Sequence, residues 1–183
     1  MKIIVACEEW GRVKTALRAK GHNAYSCDLK PSQIPGDPYH FQCDMRALDY
    51  SRIDMVIAFP DCTYLAVSGA RWWKGREKEQ QEAIEFVKWI ANLSVPRIAI
   101  ENPIGKLSTA WRKPDQIVQP WMFGHGEVKA TCLWLKGLPL LKPTNIVEGR
   151  YPRVHLEPPS LMRRSNRART YQGIANAMAE QWG

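Results

Sequence analysis

The chain has little that would place it outside ordinary globular proteins. No apolar run approaches the ~18–20 residues that cross a bilayer, so no membrane partner is expected. The apolar opening at 3–7 stops at Glu8-Glu9 and does not read as a cleavable leader. No repeat and no low-complexity tract occurs. The five cysteines, at 7, 27, 43, 62 and 132, are odd in number and include no Cys-x-x-Cys pair. That excludes a disulfide framework or zinc knuckle as the expectation, and with it a metal; a reduced, cytoplasmic setting fits. Acidic residues are also scarce: 18 stand against 26 basic ones, a net charge of +8. A surplus of this size points to a polyanionic partner, nucleic acid or nucleotide. Apolar residues make up 45% and charged residues 24%, so residues 1–183 read as one globular domain.

Short apolar, β-branched runs alternate with helical periodicity. Residues 3–7 predict a buried strand, and Val13, Ala16, Leu17 and Lys20 fall at helical spacing before Gly21. Residues 24–27 predict a second strand ending at Asp28, and 39–43 a third ending at Asp44. A strand over 54–59 runs into Pro60-Asp61-Cys62. Residues 77–93 predict the longest helix, with Ala83, Phe86, Val87, Ile90 and Ala91 as its apolar stripe. Strands over 97–100 and 131–135 and a closing helix over 169–182 complete the pattern; Ile174, Ala177, Met178 and Gln181 share that helix's face. Residues 139–169, rich in Pro and Arg, read as a long connection or small cap. The alternation predicts an α/β fold, Rossmann-like, with a mostly parallel sheet and helices on both faces. In such sheets ligands bind beyond the carboxyl ends of the strands. Cys7-Glu8-Glu9, Asp28, Asp44, Asp61-Cys62 and Glu101-Asn102 all stand at predicted strand ends.

This series of strand ends resembles the catalytic domain of the cytosine-C5 DNA methyltransferases, most of all the short, phage-type members. The resemblance covers most of the chain, and the Cys and Glu-Asn motifs are its most specific part. It implies a class I methyltransferase-like fold and S-adenosylmethionine as cofactor. On that likeness, Cys7, Glu8 and Glu9 stand at the cofactor turn, Asp28 at the ribose and Asp44 at the adenine. Pro60 and Cys62 match the nucleophile motif, and Glu101-Asn102 matches the pair that contacts the target base. The closing stretch 169–177, with Asn176, is similar to the motif that closes over the cofactor.

The implied chemistry suits these residue types. Cytosine C5 becomes nucleophilic only after a thiolate adds at C6, which would be the work of Cys62. A carboxyl kept protonated by burial would serve N3, the role implied for Glu101, with Asn102 holding the loop. The base must leave a duplex, or start single-stranded. Three departures bear on this. Asp61 stands where the family has Pro, and a carboxylate beside the thiol raises its pKa. The cofactor turn has Glu8-Glu9-Trp10 in place of glycines, which disfavours phosphate. Only about thirty residues separate Leu138 from Arg169, too few for an elaborate groove-reading module.

Arg71-Trp72-Trp73-Lys74 interleaves cations and indoles, suited to backbone contact and base stacking or to packing under the sheet edge. Six arginines against one acid lie between 150 and 169. Of these, Arg163, Arg164, Arg167 and Arg169 are candidates for phosphate contact, against a solvated basic loop. Lys129 is a candidate for reaching the base, on the same resemblance. His125 and His155 have no partners at ligand spacing and read as structural or surface groups.

Three readings stay open. The first is methyl transfer to cytosine C5 in DNA, with a protein partner supplying any sequence specificity. The second is the same base chemistry on a free nucleotide or single strand. The third is a methyltransferase-like protein that only binds nucleic acid.

Overall fold

The structure, a computed structural model, describes the backbone of residues 1–183 and every side chain except that of Trp72. Seven strands form one sheet: β1 (Lys2–Ala6), β2 (Asn23–Asp28), β3 (His40–Gln42), β4 (Met55–Ala58), β5 (Arg97–Pro103), β6 (Gln116–Val118) and β7 (Thr131–Lys136). Their order is β3-β2-β1-β4-β5-β7-β6. β1 to β5 run parallel, while β7 pairs antiparallel with both β5 and β6. The helices are α1 (Arg12–Ala19), α2 (Glu77–Ala91), α3 (Leu107–Ala110), α4 (Arg153–Leu156), α5 (Arg163–Ala168) and α6 (Gln172–Trp182). The architecture is α/β and Rossmann-like, with a mostly parallel sheet.

The continuous apolar runs of the central strands follow from burial on both faces. Ile3, Val5, Met55 and Ile57 point to one side, where Val13 and Leu17 of α1 and Ile174 and Met178 of α6 cover them. Ile4, Ala6, Val56 and Ala58 point to the other, under Ile84, Val87 and Ile90 of α2. This period-two alternation converts each apolar run into two half-cores. β1 lies between β2 and β4, and the helices that follow β1 and β4 cover opposite faces. The carboxyl ends of β1 and β4 therefore flank the topological switch point of the sheet.

Several expected elements differ in extent. The closing helix begins at Gln172 rather than 169, because Tyr171 is extended (φ −67°, ψ 138°) and turns its ring into the core. In α2, Ile84 is buried, whereas Ala83 and Phe86 are half-exposed at the edge of the stripe. β6, three residues between Pro114 and Pro120, is too short to show a period. Residues 139–169 contain α4 and α5 and fold back across the carboxyl edge of the sheet.

No helix among the described residues is long and apolar enough to cross a membrane. All five cysteines are free. No cluster of three or more metal-ligating side chains occurs among the described residues.

Candidate active site at the carboxyl ends of the strands

A cleft of about 610 Å³ opens at the switch point. Its volume falls in the range of small-molecule sites. The turn after β1 forms one wall. Cys7 adopts a left-handed conformation (φ 59°), which is rare and costly for a residue with a Cβ. Gly11 takes φ 63°, and a Cβ there would come within 2.8 Å of Ile34 Cδ1. This sharp turn drops the Glu8 carboxylate onto the start of α1, where it accepts from the Val13 and Lys14 amides at 2.7 and 3.3 Å. Glu8 thus satisfies orphan donors of the helix. Burial nevertheless raises its pKa to about 7.

Glu9 is also spent inside the protein. It accepts from Lys30 Nζ at 3.2 Å and from the Ser165 hydroxyl at 2.6 Å. Asp28 is more available. One oxygen accepts from the Lys30 amide at 2.9 Å, and burial raises its pKa. The Asp44 carboxylate receives both Nε and Nη2 of Arg46, which holds its pKa below the usual range. Cys7, Glu8, Glu9, Asp28 and Asp44 all line the cleft, as does Phe86 of α2. Phe86, assigned by periodicity to the core, packs against it and also lines the cleft. Burial of Ile84 on the same helix is the signal that the buried stripe is rotated away from it.

The loop after β4 separates two environments. Phe59, Asp61 and Tyr64 line the cleft, but Cys62 does not. The half-buried Cys62 thiol is raised first by burial, then by the charges of Glu101 and Asp61, while the Lys129 ammonium opposes them. Burial also raises Glu101, opposed by Lys129 and the Thr131 hydroxyl. Cys62, Glu101 and Lys129 are therefore electrostatic neighbours on the β5 side of the loop. Thr131 also belongs to this group, although nothing in its local sequence singles it out. Asn102, 1% exposed, donates through Nδ2 to the Pro60 carbonyl at 2.8 Å. Its Oδ1 is buried without a hydrogen-bond partner among the described residues.

The expected effect of Asp61 on the thiol is present but compensated. Asp61 Oδ1 accepts from the Thr63 amide and hydroxyl, and Oδ2 is paired with Arg164 of α5. The same helix reaches the cofactor turn: the Trp10 indole donates to the Ser165 hydroxyl at 3.1 Å. Lys129 Nζ donates to the Arg167 carbonyl at 3.0 Å. Arg169 stacks over Trp10, 4.8 Å from the ring centroid.

Other expected site residues lie elsewhere. Asn176 is exposed, accepts from Gln172 and does not line the cleft; Ala168, Arg169 and Thr170 close that side instead. Because α6 begins at Gln172, Asn176 falls on its solvent face. Arg71 lies in a 3-10 segment (Val67–Trp72), followed by Trp73 and Lys74, outside the cleft. The Trp73 indole nitrogen is buried without a partner among the described residues, and the Trp72 side chain falls outside them. Arg163 is half-buried on α5. His125 accepts from the Gly173 amide at 3.0 Å and so anchors the start of α6. Compared with protein-family models and with curated proteins, the chain matches none of them.

Proposed function

We propose that the protein is an S-adenosylmethionine-dependent methyltransferase acting on C5 of cytosine in nucleic acid. One observation supports the reading: Cys62, on the loop after β4, lies close enough to Glu101, on the adjacent parallel strand β5, for the carboxylate to raise the thiol. The cleft suits the cofactor in size, and Asp28 offers it a half-buried carboxylate with one oxygen unengaged among the described residues. Asp28 would hold ribose hydroxyls, and Cys7 and Phe86 would line the adenine pocket. Glu8 and Glu9 support the turn rather than the ligand, because their carboxylates are already bonded. S-adenosylmethionine, when bound, supplies an electrophilic methyl group.

The chain's own residues supply the base chemistry. The Cys62 thiolate adds at C6, which makes C5 electron-rich. Glu101, whose pKa burial raises, takes up a proton as the base closes over it and then donates to N3 as charge develops there. Lys129 offsets the negative charge shared by Cys62 and Glu101. Once C5 carries the methyl group, water takes the C5 proton, the electron pair of that C–H bond expels the Cys62 thiolate from C6, and N3 returns its proton to Glu101.

A second feature bears on the substrate. The 139–169 segment lies back against the site through Arg164, Ser165 and Arg167. That favours a single strand, an extruded base or a free nucleotide over a groove read in place. The experiment is transfer of a labelled methyl group to cytosine oligonucleotides and to dCMP, alongside calorimetry with S-adenosylmethionine. Cys62→Ser is expected to abolish transfer while cofactor binding survives. Wild-type transfer in that variant, or no cofactor binding by the wild-type protein, refutes the reading.

A further inference from the structure

The arginines of the 163–169 stretch are not equivalent. No acidic residue interrupts Arg163, Arg164, Arg167 and Arg169. Arg169 is stacked on Trp10, and the Arg167 Nε is buried. Arg164 alone of the four is ion-paired to the nucleophile loop, at the residue before Cys62. Its side chain is 66% exposed, and that of Asp61 57%. Both line the cleft.

The Arg164 guanidinium is held from one side only. Nη2 meets Asp61 Oδ2, while Nε and Nη1 have no hydrogen-bond partner among the described residues. Asp61 is itself fixed, because its other oxygen accepts from the Thr63 amide and hydroxyl at 3.0 and 2.7 Å. The planar fork is thereby oriented, with donors to spare. Such a fork matches the oxygens of a phosphate. An ion pair this exposed has little net strength, so it orients the fork without saturating it.

We propose that Arg164, oriented by Asp61, is the receptor for the phosphate joined to the target cytosine nucleotide. The assignment rests on cytosine as the substrate base but not on methyl transfer. It gives the departure at position 61 a purpose: the carboxylate beside the thiol positions the arginine that receives the substrate. The same phosphate chemistry occurs in a polynucleotide strand and in a free nucleotide, and the test separates the two.

The experiment is equilibrium binding to the full chain without cofactor. The probes are single-stranded oligonucleotides holding one cytosine, with individual phosphates replaced by neutral methylphosphonates. Neutralising the phosphate next to the cytosine is expected to weaken wild-type binding roughly 10–100-fold, within the range of a charge-assisted bond. Arg164→Gln is expected to lose a similar factor with the native oligonucleotide, and nothing further when that phosphate is neutral. Its salt dependence should fall by a slope of about one. Arg164→Lys, keeping the charge but not the fork, should recover part of the loss, which guards against a folding defect in the Gln variant. The parallel arm compares dCMP with deoxycytidine, in wild type and Arg164→Gln. Coupling in either arm supports the site and names the source of its phosphate. Additive losses in both arms, or equal losses at every phosphate, overturn it. Because no methyl transfer is measured, coupling would stand even if the catalytic reading failed.

Discussion

The Asn102 amide donates to the Pro60 carbonyl at 2.8 Å, tying the end of β5 to the loop that carries Cys62. Both partners are buried, so the bond has no water to replace it. Asn102→Ala should lower stability by about 1–3 kcal/mol, the cost of a buried carbonyl left unpaired. It should also lower methyl transfer beyond what remaining folded protein explains. Denaturant unfolding and single-turnover transfer measure the two effects. Unchanged turnover would show that the tie is structural alone.

The electrostatics around Cys62 make opposed predictions for thiol chemistry. Burial, Glu101 and Asp61 raise the thiol, so its alkylation by iodoacetamide at pH 7.5 should be slower than that of an ordinary exposed cysteine. Glu101→Gln removes an opposing charge and should speed alkylation roughly 3–10-fold, the effect of up to about one pKa unit. Lys129→Met and Arg164→Gln should slow it, the second by unmasking Asp61. Peptide mass spectrometry of position 62 separates this thiol from Cys27 and Cys132, which burial raises to about 12 and about 11.

The sheet was legible in the sequence because strands buried on both faces must be apolar throughout, as 3–7 and 54–59 are. Some strand ends were legible for the same reason: Asp28 and Cys62 are polar residues placed where an apolar run stops, whereas β5 continues three residues past its apolar run, through Glu101 to Pro103, because it pairs there with β7. What sequence could not show are relationships across long separations. Nothing local indicates that Arg164 compensates Asp61, or that Ser165 bonds Glu9. The Glu8 carboxylate looked available to a ligand, yet the left-handed Cys7 turns it into α1. Asn176 matched a motif, yet its helical phase points it to solvent. The three-residue β6 and the short helices α3, α4 and α5 lack the length that periodicity needs.

Glu8 makes stability depend on pH. Its folded pKa of about 7 lies above the ordinary value of 4.5. Between those values the folded state holds a proton that the unfolded state has released, so stability falls as pH rises through the window and is flat beyond it. At 1.36 kcal/mol per unit, the loss is at most about 3–4 kcal/mol. Denaturant unfolding at pH 5, 6, 7 and 8 should show the decline, and Glu8→Gln should flatten most of it. An equal slope in that variant would assign the effect to another acid.

Gly105 offers the most direct control over the nucleophile loop. A Cβ at this position would lie 1.9 Å from the Leu65 carbonyl oxygen and 3.0 Å from Ala66 Cα. The contact is backbone on backbone, so no side chain can rotate away. It is also bonded: Lys106 donates to the Leu65 carbonyl at 2.8 Å, and Val67 donates to the Ile104 carbonyl at 3.0 Å. Residues 104–106 thus clamp the chain three residues beyond Cys62. Gly105→Ala must push this loop outward, at a cost of about 1–3 kcal/mol or more. The displaced thiol should leave the field of Glu101, so Cys62 alkylation should rise while S-adenosylmethionine binding in the cleft persists. Melting temperature, alkylation rate and cofactor titration on one preparation test this. Loss of cofactor binding with an unchanged thiol would show that the clamp serves the cleft instead.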